Sequence, residues 1–103
     1  RYKEAARSLV HARLAYFNEF YQFPIKRVAI KNSRSRWGSC SQLGNLNFNY
    51  KIALLPPALA DYVVVHELCH LKHFNHGPEF WAEVARTIPH HRVLRAKLCA
   101  IKV

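Results

Sequence analysis

"VVVHELCHLKHFNHG" (residues 63–77) sets four histidines and one glutamate in and just after an apolar run. A helix flanked by "DYVVV" and carrying "LCHL" is apolar around most of its circumference and must be buried. A glutamate in such a helix is costly unless it has a charged or hydrogen-bonded partner. The spacing supplies one. Residues four apart on a helix lie one turn apart on one face. His66 and His70 therefore project side by side and can share one zinc ion, at about 2.0–2.1 Å per Zn–N bond. Glu67 lies about 100° further round the helix, close enough to reach a metal-bound water without ligating the ion. This is the H-E-x-x-H pattern, whose mechanics are those of a zinc hydrolase.

Catalytic zinc usually has three protein ligands and one open position. Four residues are candidates for the third ligand. His73 shares the face of His66 and His70, but on a continuing helix it stands about 10.5 Å along the axis from His66, too far for one ion. His76 follows "FN" and precedes "GP", where the helix must break. A reversal there would swing it back under the ion. Glu79 or Glu83, on the next helical stretch, would instead make a His-His-Glu set. Position favours His76, keeps the two glutamates as alternatives, and leaves His73 beside the cleft.

The rest of the chain supplies the frame. Over residues 2–22, Ala6, Val10, Leu14, Phe17 and Tyr21 recur at helical steps, with Lys3, Arg7, His11, Asn18 and Gln22 opposite, and Pro24 stops the helix. A short strand is expected around Val28 and Ile30, then "SRSRWGSC" (33–40) and the turn signal "SQLGN" (41–45). The clearest strand is 45–52, where Leu46, Phe48, Tyr50 and Ile52 alternate with Asn47, Asn49 and Lys51. Pro56-Pro57 opens the helix that carries the histidines. Two further helices are expected, one over Phe80–Ile88 closed by Pro89 and one over 91–102. The expected class is α+β: a small three-stranded antiparallel sheet packed with an N-terminal helix, a central motif-bearing helix and C-terminal helices. Residues 1–103 are expected to form one domain, and with Arg1 first and no methionine, a piece of a longer chain.

Several stretches, in order, carry a resemblance: "RWGSC" (36–40), "GNLNFN" (44–49), "LLP" (54–56), "DYVVVHELCHL" (61–71) and "NHGPEFW" (75–81). Together they resemble the YgjP-like metal-dependent hydrolases, a zincin-type family related to the SprT-like and WLM peptidase domains. "HGPEF" (76–80) is similar to the H-G-x-x-F of SprT-like domains. The spacing from His66 to His76 is that of metzincins, except that His73 stands where those have glycine. The resemblance implies a minimal zincin fold, one zinc ion held by His66, His70 and His76, and Glu67 as catalytic acid/base. Candidates for a second electrophile at the developing oxyanion are Arg36, which the family motif contains, with His73 and Tyr62. If strand 45–52 borders the cleft as an edge, Asn47 and Asn49 would face an extended peptide paired to it.

Composition bounds the partners. Sixteen basic residues against six acidic give a formal charge of +10, which suits polyanions such as nucleotides or nucleic acid. No 18-residue apolar stretch is present, so no helix is expected to span a membrane. Cys40, Cys69 and Cys99 form no C-x-x-C pair, which argues for a reducing, cytoplasmic setting. Three glycines in the whole chain exclude a Gly-rich phosphate loop. Three functions stay open. The first is a metallopeptidase acting on peptide or protein. The second is a nucleoside triphosphate (UTP) pyrophosphatase on the same site, as some members of the resembling family are described. The third is a zinc-containing DNA-associated domain without catalysis.

Overall fold

The helix that bears the histidines is the centre of the molecule, covered by three other helices and one strand of the sheet. The computed structural model describes residues 2–103, which run α1 (Tyr2–Tyr21), β1 (Arg27–Lys31), β2 (Gly38–Cys40), β3 (Asn45–Asn49), a 3-10 helix (Tyr50–Leu54), α2 (Pro57–Cys69), α3 (Pro78–Ala85) and α4 (His91–Cys99). Nine of the thirteen residues of α2 are buried, among them Val63, Val64, Val65 and Leu68. An all-round apolar helix can exist in water only with partners on every side. Here α1, α3, α4 and β2 all contact it.

α1 buries the expected stripe, Ala6, Val10, Leu14, Phe17 and Tyr21. Its end is set before Pro24. Gln22 takes a left-handed conformation (φ 57°), and the Asn18 amide closes the turn by accepting from Phe23 N (2.8 Å) and donating to Phe23 O (3.0 Å). Arg13 grips both carboxylate oxygens of Asp61, in the first half of α2, with two bonds of 2.7 and 3.0 Å, which fixes α1 against α2.

The sheet has three strands, as expected, but it is mixed, not antiparallel. The order is β1-β3-β2, with β1 parallel and β2 antiparallel to β3. The reason is the segment 32–37. The chain leaves β1 at the end where Lys31 faces Asn49, passes over that end of β3, and returns on the far side as β2. Asn49 holds this crossing: its buried amide donates to Ser33 O (2.8 Å) and Arg36 O (3.0 Å), and its oxygen accepts from Lys51 N (3.0 Å). The last of these bonds also ends the strand. Tyr50 and Ile52, expected in β3, lie in the 3-10 helix, where Ile52 is still fully buried. β3 is thus the middle strand, and the expectation that it forms an edge with Asn47 and Asn49 facing a substrate is corrected. Asn47 donates to Ser39 Oγ (3.3 Å) across to β2. β2, not β3, is the free edge next to α2.

α3 and α4 end earlier than the sequence suggests, at Ala85 and Cys99, although Ile88 remains buried beyond α3. No helix among the described residues is long and apolar enough to cross a membrane. The three cysteines are unpaired.

Candidate metal centre

α2 delivers His66 one turn before its end. His70 is the C-cap, its backbone N–H still bonded to Glu67 O and Leu68 O. The chain then reverses through 71–76 and restarts as α3 behind Gly77-Pro78, and the reversal brings His76 back. One nitrogen from each of His66, His70 and His76 falls within 4.8 Å of the other two, and no other set of three His, Cys, Asp or Glu among the described residues meets in this way.

The hydrogen bonds fix which nitrogens are available. His70 Nδ1 lies 2.9 Å from the carbonyl oxygen of His73. A carbonyl only accepts, so Nδ1 carries the proton and Nε2 carries the lone pair. This is how protein metal sites hold an imidazole in register. His70 Nε2 in turn faces His76 Nε2 at 2.9 Å. Two imidazole nitrogens so close need a proton or a cation between them. Tetrahedral bonds of about 2.0–2.1 Å place two ligand nitrogens about 3.3–3.4 Å apart, so a divalent metal requires this pair to open by only about half an ångström. Burial lowers the pKa of both His70 and His76, with the neighbouring imidazoles pushing the same way. Both are therefore neutral at pH 7, the form that ligates. His70 is buried and His76 is exposed, so the site is closed on the helix side and open toward solvent.

Glu67 is buried but stands outside the ligand set, with Oε2 3.3 Å from His66 Nδ1. Its carboxylate rests on β2. A Cβ added at Gly38 would lie 2.9 Å from Glu67 Cγ and 3.1 Å from Glu67 Oε2. Gly38 thus lets the strand backbone meet the carboxylate directly, a role that the sequence reading did not assign. The motif "RWGSC" was its signal. A cavity of about 270 Å³ opens over the centre, with Arg36, Gly38 and Cys40 on one wall and the three histidines and Glu67 on the other.

The remaining candidates separate cleanly. Glu79 and Glu83 do not join the cluster of three histidines. Glu83 is buried behind the site, where its carboxylate takes Arg86 at 2.7 Å and lies 3.7 Å from His73 Nε2. His73 turns its ring toward Glu83 and is not among the residues lining the cleft. Arg36 is exposed on the rim. Tyr62 is buried in an adjoining cavity of about 220 Å³ with His66 and Glu67, its hydroxyl pushed up to about 12 by burial and so a donor at neutral pH. Phe80 stacks under His70 at 4.4 Å and Trp81 under His76 at 5.8 Å. Trp81 is half-buried and lies against the His76 ring.

The fold is similar to two solved structures. The metallopeptidase zymogen abylysin of Pyrococcus abyssi superposes with a TM-score of 0.79 at 21% identity, over 88% of this chain and 92% of that one. The metallopeptidase zymogen jannalysin of Methanocaldococcus jannaschii superposes with a TM-score of 0.69 at 23% identity, over 92% and 94%. At these identities the likeness speaks for the fold. No curated protein matches the chain. The family described as YgjP-like, metallopeptidase domain, matches residues 1–100, and the chain belongs to that family.

Proposed function

We propose that the protein is a zinc-dependent metallopeptidase, with His66, His70 and His76 as ligands and Glu67 as general acid/base. The observation that carries this reading is the convergence of three imidazoles, open on one side, with a buried carboxylate next to them that lies outside the cluster. A purely structural zinc site would normally carry a fourth protein ligand. When bound, zinc supplies a Lewis acid that makes water nucleophilic near neutral pH and polarises the peptide carbonyl. Glu67 takes the proton of the attacking water as the new C–O bond forms. It returns that proton to the leaving nitrogen as the C–N bond breaks. Gly38 holds the carboxylate in place, and Phe80 and Trp81 keep water from the ligand backs. Arg36 on the rim and the Tyr62 hydroxyl are the donors available to the oxyanion.

A second reading keeps the centre and changes the substrate: release of pyrophosphate from a nucleoside triphosphate, which Arg36 beside the cleft and the +10 charge support. One experiment separates the two. Zinc-loaded protein is given casein and, in parallel, UTP, with Glu67→Gln as the blank. Glu67-dependent cleavage of casein supports the peptidase; Glu67-dependent pyrophosphate release alone overturns it in favour of the second reading. About one zinc per chain is expected, retained in Glu67→Gln and lost in His76→Ala. Retention in His76→Ala overturns the ligand set.

A further inference from the structure

Beside the cleft lies a larger cavity, about 700 Å³, within the size range of small-ligand sites. It begins at His76 and runs between α3 and the first turns of α4, over Trp81, His91, Arg92 and Arg95. The aromatic rings form a stack that continues the metal centre: His76 lies on Trp81 at 5.8 Å, and Trp81 on His91 at 5.1 Å and 14°. Arg95 crosses the Trp81 ring at 5.4 Å and also lines the adjoining cavity that holds Glu67.

The charge of this cavity is unanswered. None of its lining residues is acidic. Among the described residues Arg7, Arg13 and Arg86 each pair with a carboxylate, whereas Arg92 and Arg95 pair with none. The first turn of α4 has neither an acidic residue nor a side-chain cap, so the positive end of that helix adds to the same field. His91 Nδ1 is shielded from solvent and meets no hydrogen-bond partner among the described residues. Two guanidinium forks beside a flat aromatic surface are suited to a planar anion.

We propose that this cavity is a substrate subsite for an anionic group, the carboxylate of a peptide residue next to the scissile bond. The proposal rests on the peptidase reading, since it makes the same substrate span both cavities. An acidic side chain reaching past His76 would enter between Arg92 and Arg95 with its stem on Trp81. The same donors would also accept a phosphate, so the test separates the two sources.

The test is a binding measurement that needs no turnover. Zinc-loaded Glu67→Gln protein is titrated by calorimetry with capped hexapeptides in which one glutamate is moved along the chain, each against its glutamine twin. At one position the glutamate peptide is expected to bind about tenfold tighter. The ratio falls to about one in Arg92→Gln/Arg95→Gln and is largely kept in Arg92→Lys/Arg95→Lys, with zinc content and melting temperature recorded for each. A ratio near one at every position, or one that survives loss of both arginines, overturns the subsite. Arginine-dependent binding of inorganic phosphate and UTP, tighter than any peptide, overturns the carboxylate as occupant and assigns the cavity to a phosphoryl group. An arginine-dependent glutamate preference in a protein whose Glu67 form cleaves no peptide keeps the subsite and removes the peptidase reading. Casein cleavage without any glutamate preference does the reverse.

Discussion

Replacing Gly38 with alanine tests how the carboxylate of Glu67, the proposed acid/base, is held. Gly38 has no left-handed backbone requirement, since the positive-φ glycine is Gly44. The cost of a methyl group there is therefore steric alone. Its Cβ would lie 2.9 Å from Glu67 Cγ and 3.1 Å from Asn47 O. Carbon pairs rest about 3.5–4.0 Å apart, so the shortfall against Cγ is about 0.6–1.1 Å. Asn47 O belongs to β3, the middle strand, paired on both sides, and has little room to yield. Glu67 must move instead. Overpacking of this kind costs about 1–3 kcal/mol, or on the order of 5–20 °C in melting temperature for a domain of this size. A catalytic group displaced by about 1 Å loses about a hundredfold in rate. The three histidines proposed as ligands come from α2 and the loop after it, so Gly38→Ala is expected to keep about one zinc per chain while kcat falls about a hundredfold. Metal content, thermal melting and casein turnover give the three readings. A variant that melts lower but turns over at the parent rate would falsify the idea that β2 positions Glu67. Loss of zinc would show that the strand supports the ligands instead.

Four further outcomes are expected. Asn49→Ala leaves the carbonyls of Ser33 and Arg36 without their donor and should cost about 2–4 kcal/mol in urea unfolding; a change under about 0.5 kcal/mol would mean that the 32–37 crossing holds itself. Glu83→Gln removes the charge that faces His73 and Arg86 from behind, and should weaken zinc about tenfold in a chelator competition by loosening the loop that carries His76; unchanged affinity would show that the His70–His73 bond suffices. Because the pKa values of His70 and His76 are depressed from 6.5, their neutral forms persist below it, and zinc should stay bound at pH 6 in equilibrium dialysis and leave only on further acidification. The same depression means that the unfolded imidazoles take up protons first, so metal-free stability falls as pH drops below about 6.5; stability that rises on acidification contradicts the assignment.

The sequence carried the helices and the site further than it carried the sheet. The spacing of Ala6, Val10, Leu14, Phe17 and Tyr21 is a periodic signal of one buried face, and the nearly unbroken apolar run of α2 is a signal of burial on all sides; the structure shows both. Strand direction has no such signal. Residues 32–37 look like any polar connection, and only the buried amide of Asn49, with partners in that segment, shows that the chain crosses the end of β3 instead of turning back along it. The alternation through Tyr50 and Ile52 misled for a related reason. Ile52 is buried from a 3-10 helix as completely as it would be from a strand, so the pattern reports burial and not backbone form. Gly38 stands inside the motif "RWGSC", but its role was not legible there, because a glycine needed for close approach looks the same as one in a turn.

The structure brings His76 to His66 and His70, and it sets His73 apart for a reason other than distance along a helix. The distance of about 10.5 Å assumed that the helix continues, but α2 ends at Cys69 and His73 lies in the reversal after it. What excludes His73 is its backbone. Its carbonyl faces His70 Nδ1 at 2.9 Å, and its ring lies 3.7 Å from Glu83 on the other side. Glu83 was itself an alternative ligand. The two rejected candidates meet behind the site, and their contact sets the shape of the loop that carries His76 to His70. One residue thus fixes the proton of His70 with its carbonyl and anchors the path to His76 with its side chain. Substituting His73 removes only the second of these, because the carbonyl remains. Any loss of metal affinity in His73→Ala therefore measures the loop anchor by itself, apart from the tautomer of His70.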